Sequence, residues 1–332
     1  MMRQVWVTKR GGPEVLQVRE SPDPQPKPGE VRIKVRAAGV NFADVMARLG
    51  LYPDAPKLPA VFGYEVAGEI DLPDERKGER VVAMTRFGGQ SELVCVPQEM
   101  VFPLPAGLSF AEAASIPVVW LTAWHMLVEL ANLKAGQTVL IHAAAGGVGT
   151  AALQICKRFK ARSIGTASAA KHQRLLSMGL NQAIDYRTED FEARVMELTK
   201  GRGVDVVLDA TGQFKKSYRC LAPMGKLMMF GASSTVAGDK RSLWTAARAA
   251  SKMPFFHPLK MMPGNSGIFG INMGRLWGEA ALLGRELGEV VKGFDSGDFK
   301  AIVDCEIPFA EAARAHQRLT GRGNFGKVLL VP

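Results

Sequence analysis

The stretch from Thr138 to Phe159 constrains the fold of this 332-residue chain most, because strand, turn and helix signals follow one another in it. The apolar run 139–141 has the length of a buried strand, and apolar residues recur at helical spacing from Val148 onward. Glycines between them permit a tight bend and let a ligand approach the backbone. A turn that merely packs a helix on a strand is the alternative. The sequence favours a pyrophosphate site at the helix N-terminus, formed by Gly146, Gly147, Val148 and Gly149.

The next predicted strand ends without the acidic residue that is typical of NAD sites. Such sites place Asp or Glu about twenty residues beyond the glycines to hold the ribose hydroxyls, whereas segment 166–168 here is Thr-Ala-Ser. Lys171, His172 and Arg174 then lie in the first turns of a helix predicted over 169–177, where the macrodipole disfavours cations. A bound 2′-phosphate would neutralise these charges, so the sequence predicts NADPH. An ordinary solvated basic face is the alternative.

Further strand patterns alternate with helical patterns through the middle of the chain. They lie at 163–167, 183–185, 204–209, 226–231 and 268–272. Strands that alternate with helices imply a parallel sheet, so we predict an α/β fold with a doubly wound, six-stranded Rossmann sheet. The first hundred residues instead show short strands separated by prolines and glycines, which predicts a β-rich unit there. Near the C-terminus, a helix is predicted from about residue 307 to 317, followed by a closing strand at 328–331.

Five motifs together resemble one branch of a known enzyme family. They are Gly39-Val-Asn41-Phe-Ala-Asp44, Gly50-Leu-Tyr52-Pro53, Ala143-x-x-Gly146-x-x-Gly149, Asp185-Tyr186-Arg187 and Arg322-Gly-Asn324-Phe-Gly-Lys327. This set resembles the zinc-independent quinone oxidoreductases of the medium-chain dehydrogenase/reductase superfamily. Within that branch, the closing motif and the segment after Gly231 are similar to the vesicle amine transport protein homologues.

The resemblance implies a domain organisation and an assembly. A GroES-like substrate domain is expected over residues 1–118, a NADPH-binding Rossmann domain over 119–272, and a return to the substrate domain over 273–332. A homodimer formed along the sixth strand of the Rossmann sheet is also expected from the family.

A catalytic zinc is not expected, so no metal ligands are assigned. Zinc-containing members of the superfamily use a Cys and a Gly-His-Glu motif, and the matching positions here hold Asn41 and Tyr64. Neither an amide nor a phenol is a usual zinc ligand. Four scattered cysteines lack Cys-x-x-Cys spacing, which argues against a structural zinc lobe or a disulfide framework and predicts buried thiols instead.

Without a Lewis acid, the expected substrates are ones that delocalise negative charge themselves. Hydride addition to a quinone or an α,β-unsaturated carbonyl places charge on an oxygen that hydrogen-bond donors can stabilise. We expect Asn41, Tyr52 and Tyr64 around the substrate carbonyl, as orienting groups and proton donors. Each has a structural alternative, since Asn41 could cap a turn and Tyr64 could be a packed core ring. An enoyl reductase of acyl or polyketide-like substrates is the second enzymatic reading.

The resemblance also implies a set of residues that contact the cofactor. Thr122 matches a position facing the nicotinamide, and the turn from Gly231 through Ala232 to Ser233 matches one passing beneath it. Contacts to the adenosine phosphate are implied for Ser168, Lys171 and Tyr186. Asn324 matches a position near the cofactor, and Asn41 is assigned to the cofactor as well as to the substrate.

The net charge of +10 leaves several partners open. No uninterrupted basic tail or recognisable nucleic-acid module is present, so nucleic acid is not expected. The segment 239–263 mixes basic and apolar residues, which favours a cover over the substrate cleft and leaves contact with an anionic membrane as the alternative. A third reading is therefore a non-catalytic, NADPH-binding, membrane-associated protein. No apolar run has the length of a signal or a membrane span, so a cytoplasmic location is expected.

Overall fold

The computed structural model describes residues 1–231, Ser233, Val236, Gly238 and 254–332. Ala232, and the predicted cover segment as far as residue 253, lie outside these described residues. The described residues form two compact units. One, the β-rich unit, comprises 1–121, Val236, Gly238 and 273–332; the other, the parallel-sheet unit, comprises 122–231, Ser233 and 254–272. The domain boundaries expected after residues 118 and 272 stay predictions.

The strands are numbered in chain order. The first part of the β-rich unit contains β1 Met2–Val7, β2 Leu16–Ser21, β3 Glu30–Val40, β4 Ala60–Val61, β5 Glu65–Leu72, β6 Arg80–Met84, β7 Leu93–Pro97 and β8 Val101–Pro103. The parallel-sheet unit contains β9 Thr138–Ile141, β10 Arg162–Ala167, β11 Gln182–Asp185, β12 Val204–Asp209, β13 Leu221–Met229 and β14 Gly267–Gly270. The last two strands, β15 Val303–Pro308 and β16 Lys327–Val331, return to the β-rich unit.

The α-helices of the described chain are numbered in the same way. They are α1 Phe42–Arg48, α2 Phe110–Ala114, α3 Pro117–Trp124, α4 Gly147–Arg158, α5 His172–Ser177, α6 Phe191–Leu198, α7 Phe214–Arg219, α8 Pro258–Met261, α9 Ala280–Asp295 and α10 Ala312–Thr320. A π-helical turn, His125–Leu130, follows α3 directly. None of the described helices is both long and apolar enough to span a bilayer.

The parallel-sheet unit is built on one six-stranded sheet in the order β11-β10-β9-β12-β13-β14, with all neighbouring strands parallel. Buried aliphatic side chains cover it, among them Leu140, Ile164 and Val207. This confirms the predicted α/β fold with a doubly wound sheet. Because all six strands run parallel, their carboxyl ends lie at the same edge of the sheet, where α/β proteins bind ligands.

The β-rich unit has a seven-stranded sheet, in which β15-β16-β3-β5-β6-β8 are consecutive and β7 also pairs with β3, and a three-stranded sheet in the order β2-β1-β4. In the larger sheet, Val40 at the end of β3 pairs with Val328, and Ala38 pairs with Val66 near the start of β5. The pairing therefore brings three residues together that are far apart in sequence: Asn41, Glu65 and Lys327.

Two expectations about local structure were wrong. Residues 307 and 308 end β15 rather than starting a helix, because they pair in parallel with Leu330 and Val331; α10 begins at Ala312. Two of the four cysteines, Cys156 and Cys220, are buried thiols as predicted, whereas Cys95 and Cys305 are partly exposed.

Candidate active site

The glycine turn after β9 forms a close approach of helix to strand. Gly146 is the N-cap of α4, and a Cβ on Gly149 would stand 2.5 Å from the Ala144 carbonyl oxygen and 2.6 Å from that of Ala143. Ala143 itself adopts a left-handed conformation, with φ of 52°. Only a glycine at 149 allows this turn, which leaves the first-turn N–H groups of α4 without intrahelical partners. This arrangement fits a pyrophosphate.

The residues assigned to the adenosine phosphate follow two neighbouring strands. Ala167 and Asp185 pair at the ends of β10 and β11, so Ser168 and Tyr186 leave the same edge of the sheet side by side. The Tyr186 ring is 38% exposed, and the Arg187 guanidinium lies 5.9 Å from its centre. An exposed guanidinium at this edge can bind a phosphate, and an exposed aromatic ring can stack on an adenine.

The basic cluster of segment 171–174 is not uniform. His172 Nε2 lies 3.0 Å from the carbonyl oxygen of Ala167, so this ring is tied to the end of β10 rather than to a ligand. Lys171 ends a 3-10 turn, 169–171, that precedes α5. Of the predicted cations, Lys171 is therefore the one placed between the strand end and the helix.

The turn after β13 lies against the turn after β12. A Cβ on Gly231 would stand 3.0 Å from the Ala210 carbonyl oxygen, and the Ser233 N–H donates to that same oxygen at 3.0 Å. Thr122, in α3, is buried at 7% exposure. The geometry thus groups Gly231 and Ser233 at the carboxyl edge of the sheet.

Beneath this edge lies a buried polar network that the sequence did not reveal. His142 contacts Thr166 Oγ1 at 3.0 Å and Ser217 Oγ at 3.1 Å, and Ser217 Oγ donates to Asp209 Oδ2 at 2.7 Å. The other Asp209 oxygen accepts from the N–H groups of Thr211 and Gly212, at 2.7 and 3.0 Å. Burial lowers the pKa of His142, against the raising effect of the Asp209 charge. The network fixes the turn after β12, and its members are too far apart in sequence to be recognised beforehand.

In the β-rich unit, Asn41 is held by a buried ion pair. Its Nδ2 donates to Glu65 Oε1 at 3.0 Å, and its Oδ1 accepts from Lys327 Nζ at 2.6 Å. Lys327 and Glu65 also pair with each other, with side-chain exposures of 3% and 0%. Glu65 Oε2 accepts from the Val118 N–H at 2.7 Å. These contacts use one of the two amide hydrogens of Asn41, so the side chain can still donate one hydrogen bond to a ligand.

Gly39 makes room for this carboxylate. A Cβ at position 39 would lie 2.3 Å from Glu65 Oε1 and 2.6 Å from its Cδ. The motif glycine therefore permits the buried charge to lie against β3. Gly39 and Lys327 belong to the sequence motifs, but nothing in their spacing indicated that they meet at Glu65.

The carboxylate of Asp44 binds the backbone of the segment that carries Asn41. Its Oδ2 accepts from the backbone N–H of Asn41, the N-cap residue of α1, at 2.7 Å, and its Oδ1 accepts from the Gly63 N–H at 3.1 Å. Burial raises the pKa of Asp44 to about 7, against the lowering effect of those two hydrogen bonds. Asp44 is thus a structural brace for the backbone at Asn41 and Gly63.

Tyr52 and Tyr64 meet in an aromatic cluster. Their ring centres are 6.3 Å apart at an interplanar angle of 81°, and Tyr64 also packs on Phe87 at 5.2 Å. Tyr64 is 7% exposed, and burial, reinforced by the charge of Asp44, raises the pKa of its phenol far above the usual value. The hydroxyl oxygen of Tyr64 is itself buried, and the phenol loses its proton less readily than an exposed one. Tyr52 is the more exposed of the two.

Asn324, assigned to the cofactor, donates from Nδ2 to the Gly326 carbonyl oxygen at 3.0 Å. Gly326 has φ of 93°, and a Cβ there would stand 2.1 Å from the Ile302 carbonyl oxygen. The closing motif therefore contains one structural glycine and one polar side chain that stabilises the turn before β16. The role of Asn324 toward a cofactor stays a prediction.

The described residues contain no cluster of metal-binding side chains. Across residues 1–231 and 254–332, no group of three or more His, Cys, Asp or Glu side chains is placed to hold a metal ion. At the two positions that correspond to zinc ligands, Asn41 bonds to Glu65 and Lys327, and Tyr64 packs among aromatic rings.

A Rossmann sheet with a glycine turn, and in the same chain a β-rich unit carrying the Asn41 motif, define a medium-chain dehydrogenase/reductase. Comparisons agree, since a family model described as an alcohol dehydrogenase GroES-like domain matches residues 27–106, and one described as a zinc-binding dehydrogenase matches residues 178–330. The chain belongs to the medium-chain dehydrogenase/reductase superfamily and is close to the VAT-1 homologues and the quinone oxidoreductases.

Two curated relatives represent these groups. The rat synaptic vesicle membrane protein VAT-1 homolog is 38% identical over 325 residues, which cover 96% of this chain and 80% of the relative. A Pseudomonas aeruginosa quinone oxidoreductase is 34% identical over an alignment of 349 positions, which covers the whole of both chains.

Two solved structures extend the comparison. An Escherichia coli quinone oxidoreductase complexed with NADPH matches with a TM-score of 0.87 and 31% identity, over 99% of this chain and 100% of that chain. The CurK enoyl reductase matches with a TM-score of 0.83 and 30% identity, over 99% of each chain.

Proposed function

We propose that this protein is an NADPH-dependent oxidoreductase that transfers hydride to quinones or other activated α,β-unsaturated carbonyls without a metal. The proposal rests on two features of the parallel-sheet unit. A glycine turn that fits a phosphate follows β9, and the end of β10 lacks an acidic residue. Relatives support it, because a quinone oxidoreductase of the same superfamily has been solved with NADPH. NADPH, when bound, would supply the hydride.

The chain's own residues fit that cofactor. The backbone of Gly146, Gly147, Val148 and Gly149 would hold the pyrophosphate, since a Cβ at 149 is excluded by two carbonyl oxygens. Ser168, Lys171 and Tyr186 would hold the 2′-phosphate, because no carboxylate at 166–168 repels it. We assign Thr122, Gly231, Ala232, Ser233 and Asn324 to the nicotinamide end on the family resemblance alone.

On the substrate side, the remaining amide hydrogen of Asn41 is a suitable donor to a carbonyl oxygen that gains charge. Its orientation is fixed in advance by Glu65 and Lys327, so no reorganisation is needed when charge develops. Tyr52 and Tyr64 would line the same carbonyl as orienting phenols. The single proton that must accompany the hydride then comes from solvent, because the Tyr64 phenol is too weak an acid.

A substrate panel at fixed NADPH tests the activity, with loss of cofactor absorbance as the signal. We expect a simple quinone to be reduced with a higher kcat/KM than an enone or an enoyl thioester. Preferred turnover of the enoyl thioester would instead support the enoyl reductase reading, which the CurK likeness favours. Absence of turnover with every acceptor would contradict both enzymatic proposals.

Cofactor choice is tested by replacing Lys171 with glutamine. We expect the Kd for NADPH to rise roughly 10-fold or more, because a charge-assisted contact contributes about 1.5–3 kcal/mol, while the Kd for NADH stays the same. Isothermal titration calorimetry measures both constants. Arg162→Gln is the matched control, since it removes one positive charge from the exposed start of β10, at the opposite end of the same strand. Equal weakening of NADPH and NADH, or an equal effect of the control, would overturn the assignment.

The third reading, a non-catalytic membrane-associated protein, rests on the VAT-1 likeness and on basic segment 239–263. Binding to anionic vesicles that is lost in a Lys252→Gln/Lys260→Gln variant, together with no turnover, would support it. We also propose a cytoplasmic location and a homodimer formed along β14, which is an edge strand of the parallel sheet. Sedimentation equilibrium at the mass of one chain would contradict the dimer.

A further inference from the structure

We propose that the natural acceptor carries a negatively charged group, a carboxylate, sulfonate or phosphate, which Lys9, Arg10 and Lys57 bind in a pocket beside Tyr52. This inference rests on the proposed reductase function and specifies its substrate class. The pocket belongs entirely to the β-rich unit, and its volume is about 740 Å³. That volume lies within the range of small-molecule sites, roughly 300–1,000 Å³.

Two chain segments line the pocket: residues 8–10 after β1, and residues within 47–58 around the Gly50-Leu-Tyr52-Pro53 motif. No lining residue is acidic, whereas Lys9, Arg10 and Lys57 are basic and exposed. A pocket lined by charges of one sign concentrates ligands of the opposite sign and speeds their binding. The positive charges around the pocket therefore favour anionic ligands over neutral or cationic ones, even without specific hydrogen bonds.

The nearby acidic residue does not cancel this charge. Asp54 lies between lining residues in sequence, but its carboxylate is paired with Arg275, whose Nε donates to Oδ2 at 3.1 Å and whose Nη2 contacts Oδ1. Within the described part of the chain, no carboxylate lies at ion-pair distance from Lys9, Arg10 or Lys57. Three positive charges thus remain for a ligand.

Arg10 is positioned by the backbone of the family motif. Gly50 has φ of 71°, and a Cβ there would stand 2.6 Å from Arg10 Cδ and 2.7 Å from its Nε. The side chain of Arg10 therefore lies against Gly50 and is restricted on that side. A restricted guanidinium loses less entropy on binding, and its planar fork matches the oxygens of a carboxylate or phosphate.

The neighbouring aromatic groups specify the rest of the ligand. Tyr52 lines the pocket and faces Tyr64, edge to face, with Phe87 behind it. A flat aromatic side chain in the pocket wall favours a planar, conjugated body. The combination fits a conjugated acceptor whose reactive carbonyl lies near Tyr52 and whose charged group reaches the three cations.

The test compares 1,4-naphthoquinone-2-sulfonate with neutral 1,4-naphthoquinone at saturating NADPH. In the Lys9→Gln/Lys57→Gln variant, we expect the ratio of kcat/KM for the anionic to the neutral acceptor to fall roughly 3- to 10-fold, as for two solvent-exposed charge contacts. The ratio should also fall as salt is raised, because exposed charges are screened. Lys27→Gln/Lys34→Gln removes two exposed charges of the same unit outside the pocket and should leave the ratio as in the wild type.

Two results would overturn the inference. They are an unchanged ratio in the pocket variant and an equal fall in the control. Inhibition distinguishes a site for an anionic organic acceptor from a site for any small anion. Naphthalene-2-sulfonate should compete with the quinone, while inorganic sulfate at equal ionic strength should not.

A binding measurement separates failure of the reductase proposal from failure of the anion-pocket proposal. If neither quinone is reduced by the wild type, calorimetric binding of naphthalene-2-sulfonate still reports on the pocket. Binding that weakens in Lys9→Gln/Lys57→Gln but not in Lys27→Gln/Lys34→Gln supports the anionic ligand without turnover. Absence of binding to the wild type contradicts it.

Discussion

Replacing Lys327 with methionine is expected to lower the free energy of unfolding by about 3–5 kcal/mol, because it leaves the carboxylate of Glu65 buried without its partner. Glu65 is fully buried, and its other contacts are an amide hydrogen of Asn41 and the Val118 N–H. Those neutral donors compensate only part of the lost attraction. Urea denaturation followed by circular dichroism measures the change.

Two further variants separate the buried charge from other effects. In the Glu65→Gln/Lys327→Met protein neither charge remains, so we expect a smaller loss than the sum of the two single changes. Lys292→Met is the matched control, since it breaks the exposed pair with Glu289 at 2.5 Å and should cost less than about 1 kcal/mol. A Lys327→Met protein as stable as that control would refute the buried pair.

Replacing Gly149 with alanine is the second large effect. The new Cβ would meet two backbone carbonyl oxygens, at 2.5 and 2.6 Å, which no side-chain rotation can relieve. The turn must therefore shift, and the first-turn N–H groups of α4 leave the phosphate. Loss of one or two hydrogen bonds to a charged group would weaken NADPH by about 3 kcal/mol, roughly 100-fold in Kd. Calorimetric titration with NADPH measures it.

Gly288→Ala is the comparison for this variant. Gly288 is a helical residue of α9 whose Cβ would meet no atom within 4 Å, so alanine there should stabilise the protein by up to about 1 kcal/mol. NADPH affinity should be the same as in the wild type. A Gly149→Ala protein that binds NADPH normally would show that the turn does not contact the cofactor's phosphates.

The parallel-sheet unit was largely predictable because its signals are local. A strand with three buried apolar residues, three glycines and an amphipathic helix follow one another between 138 and 158, and the structure has β9 and α4 there. Strand limits were less certain: β13 begins at Leu221 rather than at 226, since it continues to pair with β12 before the predicted run starts.

The C-terminal return was harder to predict. Ile307 and Pro308 resemble a helix start locally, yet they pair with Leu330 and Val331. The strand forms because β16 offers a partner, and that partner is placed by its own pairing with β3. Local preference was overridden by a contact that becomes available only when the sheet has formed.

By itself, the sequence determined the class of fold, the phosphate turn and the absence of an acid after the second strand of the parallel sheet. Each of these depends on residues within about one strand–turn–helix unit, whose spacing dictates local backbone geometry. Only the tertiary structure decided that Asn41 is held between Glu65 and Lys327, and that Lys9, Arg10 and Lys57 share a pocket. The physical reason is that strand pairing brings together residues far apart in sequence, such as Asn41 and Lys327, which are 286 positions apart, and no local pattern encodes that meeting.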